Sequence, residues 1–415
     1  MSIVISGCIG LFNRGVEALV APTVAELHRV LPEHQVVLLS GKPQYDSRRA
    51  FLSDSKVISD PFLGRMGSLT VRRLAARWTP RLVRREAVAH RAIKNSSLLI
   101  ATGGDTFSSD YGDLRMHVEP LKVAHHYGVP FALLAHSIGP FTKEEERQPF
   151  VDIAKHAALI TVRESRSFNY CIDDLKLDPA RVVQTADPAF LLEPASDERV
   201  SQLQARYGID PAGPTIALAV SQGISNFVGL NSSSQESAER HLETLSKLAR
   251  YITQEMQAQL LLIPHVQDMR PHNNDLFLCD RLMDAVGDCS GMAVAWGDHT
   301  AAEFKGLIKA SDAVIAERMH AAIAGLSTTT PTMVVRYSVK ADGIIGDLLG
   351  GDAADRGAII PFEDYLKHED GMAIASLKKM WASREDLRKS LASKIDEVRA
   401  EAHKNYDLFA QLVNK

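Results

Sequence analysis

Short apolar runs, each followed by a stretch long enough for a crossover helix, recur along this chain and restrict it to one fold class. The first series falls at residues 3–6, 36–39, 98–101, 131–135, 159–162 and 182–185. These runs are continuous rather than alternating, which is the pattern of strands buried on both faces. Parallel neighbours of that kind need a crossover between them. After Glu193-Pro194 the chain passes through a polar helical stretch and a turn at 210–214. It then begins a second series at 215–220, 259–263, 292–296, 313–316 and 332–336. At 415 residues one hydrophobic core is not expected to serve the whole chain. The expected fold is therefore α/β, with two Rossmann-like doubly wound domains at 1–195 and 210–360 and a linker near 190–213. A charged helical segment at 361–415 is expected to pack back on the body. Facing strand ends of two such domains would form a ligand cleft.

Composition narrows the function classes. With 47 Lys and Arg against 51 Asp and Glu, the net charge is -4, which argues against a nucleic-acid partner. Cys8, Cys171, Cys279 and Cys289 form no C-x-x-C or His-spaced pattern, so reduced thiols and no metal are expected. The N-terminus runs straight into a strand, and no apolar run reaches the roughly 18 residues that would span a bilayer, so the expected location is cytoplasmic. The basic stretch 65–94 departs from this acidic average. Arg65, Arg72, Arg73, Arg77, Arg81, Arg84, Arg85, Arg91 and Lys94 surround an apolar stripe with Trp78, and Glu86 is its one acid. It reads equally as a solvated helix or as a peripheral contact with anionic lipid headgroups at the inner membrane face.

The chemistry-bearing residues fall where strands end, which is where open parallel sheets hold ligands. Residues 311–340 read as strand, helix, strand. Glu317, Arg318 and His320 stand at the first seam, and Arg336 and Lys340 follow the second strand. A guanidinium fork beside an imidazole, near free helix N–H groups, makes an anion site with an acid at hand. Gly103, Gly104 and Asp105 close an earlier strand, where Asp105 fits either an N-cap or an acceptor for sugar hydroxyls. His136 and Ser137 end the next strand in a turn that could equally be structural. Arg163 follows, with Glu164 or Ser165 suited to capping a helix and pairing with it, and Asp187 before Pro188 reads as a structural turn. In the second series Gln222 and His265 end their strands. The Gly-bearing turn around Asn13 and Gly15 lacks a dinucleotide fingerprint and suits tight packing or ligand contact alike.

Taken in order, these elements resemble the polysaccharide pyruvyl transferases. The carriers are Arg318-Met319-His320-Ala321, the strand ending in Tyr337 and Lys340, Asn13-x-Gly15, Gly103-Gly104, His136-Ser137-Ile138-Gly139-Pro140, Val162-Arg163-Glu164, the Asp187-Pro188-Ala189-Phe190 turn and Pro264-His265. Val16 stands where the family carries Asp, and His136 where it carries Gln. The resemblance implies an architecture similar to B-type glycosyltransferases and transfer of the enolpyruvyl group of phosphoenolpyruvate to two hydroxyls of a sugar in a polysaccharide or lipid-linked repeat unit, giving a pyruvate ketal. No cofactor beyond this donor is implied. His320 is then the expected general acid, with Asp105 or Glu317 as base. Arg163, Arg318, Lys340, Asn13, Gly104, His136, Ser137, His265 and Gln222 are the expected substrate contacts. A B-type nucleotide-sugar glycosyltransferase and a non-catalytic glycan-binding member are the alternatives.

Overall fold

A computed structural model describes residues 1–63, 80–109, 114–224, 234–287, 290–336, 339–367 and 371–414, without the side chains of 80–84, 234, 339 and 340. By contact the chain forms two units. One comprises Met1–Leu11, Leu19–Leu191 and Arg399–Lys415, and the other Phe12–Ala18 and Leu192–Val398. The division thus falls at Leu191/Leu192, and it also assigns seven early residues to the second unit and a C-terminal stretch to the first.

The first unit is built on β1 (Ser2–Cys8), β2 (Gln35–Ser40), β3 (Lys56–Ser59), β4 (Ser96–Ala101), β5 (Phe131–His136), β6 (Leu159–Val162) and β7 (Val182–Gln184). They pair in parallel in the order β3-β2-β1-β4-β5-β6-β7. The chain therefore winds outward from β1, returns, and continues from β4 the other way, which puts the switch point between β1 and β4. Gly7 at that point has φ +92°, and a Cβ there would lie 1.9 Å from the Thr102 carbonyl oxygen, so no other residue lets the two strand ends approach as they do. Every residue of β5 is buried, as a strand covered by helices on both faces must be. The C-terminal stretch is fastened by Asn405, which accepts from Thr185 at 2.8 Å and donates to the Ala186 carbonyl at 3.0 Å, and by Tyr406 against Thr23 at 2.9 Å.

The second unit has β8 (Thr215–Ala219), β9 (Gln259–Leu262), β10 (Met292–Val294), β11 (Ala313–Ala316), β12 (Thr332–Arg336) and β13 (Ile359–Pro361), parallel in the order β10-β9-β8-β11-β12-β13. Its switch point lies between β8 and β11. Both sheets are doubly wound and flanked by helices, so the α/β expectation holds. Two strands escaped the sequence pattern. β3 and β13 are sheet edges, short and only partly buried, so neither needs a continuous apolar run. β10 stops at Val294, two residues short of its apolar run, because the chain turns into a loop at Ala295. No helix among the described residues is long and apolar enough to cross a membrane. Half of the basic stretch 65–94, residues 65–79, and the side chains of Arg81 and Arg84 lie outside the described residues. Residues 80–94 are helical.

Candidate active site

In the second unit the early turn and the β11 seam meet. Asn13 bridges to Val266, the Arg14 amide donates to the His265 carbonyl at 3.0 Å, and the Asn13 side chain accepts from the Gly15 amide at 2.9 Å. This ordering presses the backbone of Gly15 against His320. A Cβ on Gly15 would fall 2.5 Å from the imidazole Nδ1 and 3.1 Å from Asn13 Oδ1. Asn13, His265 and His320 are thus neighbours in space. Arg14 is fully buried and donates to Glu17 at 3.2 Å and to Asp298 at 2.6 Å. Burial, then the charges of His320, Arg318 and Arg14, hold His265 well below the usual imidazole range, so it is neutral.

The strand end orients the remaining groups. Arg318 stands at the N-cap of the helix Met319–Ser327 and is held by Asp275, its Nε donating at 3.2 Å, while its Nη1 faces Gly223. Asp275 also accepts the amides of Gln222 at 2.9 Å and Val266 at 2.8 Å. Burial raises its carboxyl against the pull of Arg318 and those amides. Gln222 is therefore tied in through its backbone. Glu317 is wholly buried across the β8/β11 switch point, accepting the Ser221 amide at 2.7 Å and facing His241 Nε2 at 2.8 Å. A carboxylate so enclosed offers no surface to a sugar hydroxyl, and its place makes it a brace between two strand ends. The Lys340 side chain lies outside the described residues.

In the first unit Arg163 is also enclosed, with 2% of its side chain exposed. Its Nη1 donates to Asp187 at 2.6 Å and its Nε to Ser137 Oγ at 2.8 Å. Burial opposes its charge, but the carboxylates of Asp187 and Asp105 outweigh that and raise its pKa. Its ion-pair partner is thus Asp187, while Glu164 caps the next helix by accepting the Ser167 amide at 2.8 Å. Gly104 lies under the guanidinium, where a Cβ would sit 3.3 Å from Nη1. Asp105 is half-buried beside it. His136 is fully buried, its Nε2 donating to the Ala101 carbonyl at 3.2 Å and its ring 4.8 Å from Phe107. Burial lowers its pKa to about 3, so the side chain is a neutral core group with no exposed surface to give a ligand. Arg14, His241, Asp275 and Asp298 were not singled out from sequence. Asn274-Asp275 is legible as a helix start, but nothing local says that the carboxylate turns back to Arg318. Among the described residues no cluster of three or more His, Cys, Asp or Glu side chains could hold a metal ion.

The profile of one family, polysaccharide pyruvyl transferase, matches residues 13–339. The chain belongs to this family. Amylovoran biosynthesis protein AmsJ of Erwinia amylovora is 22% identical over 310 residues, which cover 74% of this chain and 71% of that protein. Anabaena Alr3699/HepE in complex with UDP-glucose superposes with a TM-score of 0.59 at 12% identity, covering 99% of this chain and 100% of that one. A glycosyltransferase from Rickettsia africae gives 0.57 at 12% identity, covering 99% and 98%. The S. aureus MnaA-UDP co-structure gives 0.58 at 12%, covering 92% and 91%. At such identities these likenesses are of fold, which is that of B-type glycosyltransferases and sugar-nucleotide epimerases. This member of the pyruvyl transferase family is a transferase.

Proposed function

We propose that the protein transfers the enolpyruvyl group of phosphoenolpyruvate to two hydroxyls of a sugar in a polysaccharide or lipid-linked repeat unit, with no cofactor besides that donor. The observation that carries this reading is the placement of His320 beside Asn13 and Gly15, next to neutral His265 and two residues from Arg318. Arg318, with Lys340 from the following helix, supplies the positive charge for a carboxylate and a phosphate. His320 delivers a proton to the methylene carbon of the donor, leaving positive charge at C2. One sugar hydroxyl adds there and gives up its proton. The C2–O bond to phosphate breaks, and the second hydroxyl closes the ketal as its own proton leaves with phosphate. Glu317 acts through Ser221 and His241, by fixing the strand ends. Arg163, locked to Asp187 and Ser137, lies against Gly104 rather than offering an open fork.

The test is incubation with phosphoenolpyruvate and a panel of glycosides, with mass spectrometry for the ketal and a phosphate assay for the leaving group. UDP and UDP-glucose, which the Anabaena structures hold, are the control ligands. A shift in melting temperature with UDP-glucose and none with phosphoenolpyruvate would point to nucleotide-sugar chemistry instead.

A further inference from the structure

The loop after β10, residues 295–300, leaves the carboxyl edge of the second unit's sheet, where ligands of such sheets gather. It is anchored from several directions. The Tyr207 hydroxyl donates to the Trp296 carbonyl at 2.7 Å and also meets His299 Nε2, whose other nitrogen faces Glu303 at 3.1 Å. Gln267 donates to the Gly297 carbonyl at 2.9 Å. Thr300 and Glu303 complete a reciprocal cap on the helix Ala301–Lys309, and Asp298 accepts from Arg14 at 2.6 Å. Gly297 takes φ +128°, a backbone state that side-chain-bearing residues rarely adopt. All these bonds hold the backbone and the polar side chains of the loop, yet its largest side chain faces outward. Trp296 is 58% exposed, with the Arg206 guanidinium 4.8 Å from its ring centroid. Two residues on, Asp298 shows 59% of its side chain to solvent.

We infer that this loop is a saccharide subsite, in which the Trp296 indole stacks on the C–H face of a pyranose ring and the Asp298 carboxylate accepts its hydroxyls. A flat π-face matches the axial C–H groups of a sugar, and a carboxylate matches its O–H donors. A fixed loop presents both without an ordering cost at binding. Arg14 links the subsite to the His320 group, since Asp298 accepts its side chain and His265 its backbone amide. The choice of a sugar as occupant rests on the acceptor named in the proposed function.

Saturation-transfer NMR with the full chain and methyl glucosides, galactosides and mannosides tests this, since no acceptor need be known in advance. Of the three tryptophans, Trp78, Trp296 and Trp381, a background with the other two changed to Phe reports Trp296 by fluorescence. The expected result is quenching by at least one glycoside, with Trp296→Ala weakening binding by about tenfold and Trp296→Phe retaining part of it. The melting shift with phosphoenolpyruvate should be the same in wild type and Trp296→Ala. Equal glycoside binding by wild type and Trp296→Ala, or no glycoside binding by wild type, overturns the subsite and leaves the donor chemistry standing. Trp296-dependent glycoside binding without any response to phosphoenolpyruvate does the reverse.

Discussion

Replacing Gly15 by Ala should separate activity from stability in this protein. Gly15 lies in the first turn of the helix Arg14–Val30 and its φ is not in the left-handed region, so the backbone accepts Ala. On propensity alone the change would favour the helix by roughly 0.5 kcal/mol. The obstacle is His320, because the new Cβ would lie 2.5 Å from Nδ1, well inside ordinary contact, and the ring must retreat by about 1 Å. A side chain can swing away at small cost to the fold, whereas a proton donor displaced by that distance costs on the order of 10²-fold in turnover. Phosphate release from phosphoenolpyruvate in the presence of acceptor measures the second effect, and calorimetric melting measures the first. The expected result is a melting temperature near wild type with turnover lowered about a hundredfold. His320→Ala should do the same damage, and Gly15→Ala/His320→Ala should be no slower than His320→Ala alone, because the second change removes the ring that the first displaces. Turnover within twofold of wild type in Gly15→Ala, or losses that multiply in the double variant, would refute His320 as the group through which Gly15 acts.

Other outcomes follow from the same geometry. Arg318→Lys keeps charge but loses the fork on Asp275, so affinity for phosphoenolpyruvate by calorimetry should drop about tenfold with little change in melting; unchanged affinity removes Arg318 from the donor site. Arg163→Met leaves Asp187 buried without its cation and should cost about 3–5 kcal/mol in unfolding experiments, much of it recovered in Arg163→Met/Asp187→Leu; equal losses in both would mean that the pair is not the source. Asp60 is raised to about 6 by burial, against the pull of the Phe62 and Leu63 amides. Folding therefore favours its neutral form, and stability should fall as pH rises from about 4 to about 6, by roughly 2–3 kcal/mol, then stay level. Asp60→Asn should flatten that slope in melting curves and gain stability at pH 8, and an unaltered slope would discount the burial argument. Neutralising Arg73, Arg77, Arg84 and Arg85 should release the chain from anionic vesicles, each cation contributing roughly 1 kcal/mol, and wild-type protein that never sediments with such vesicles refutes the lipid contact.

Buried parallel strands announce themselves because covering both faces forces every position to be apolar, so the central strands of both sheets were legible. The edge strands β3 and β13 were not, because each is short and only partly buried and needs no continuous apolar run. The seam at Arg318 and His320 was legible for a related reason, since an apolar run that breaks into charge marks a strand end. What a strand end cannot state is where its side chains turn. His136 looked like a ligand group at such an end and instead packs on Phe107, and Arg163 found Asp187, 24 residues away, in place of its neighbour Glu164. The role of Asn13 and Gly15 depends on a partner far along the chain, which no local pattern encodes.

That distance shapes how the protein is made. Arg14 leaves the ribosome 284 residues before Asp298, an interval of roughly 15–60 s at ordinary elongation rates. Until His265 and Val266 are made, the turn that will seat His320 lacks every long-range partner, and a guanidinium destined for complete burial stays in water. The first unit waits longer still, because Asn405 and Tyr406 are made near the end. Neither unit can finish before nearly the whole chain has been synthesised. Expressing residues 192–398 alone would therefore yield a sheet without its early turn, and fragments of this protein should be cut with both ends in hand.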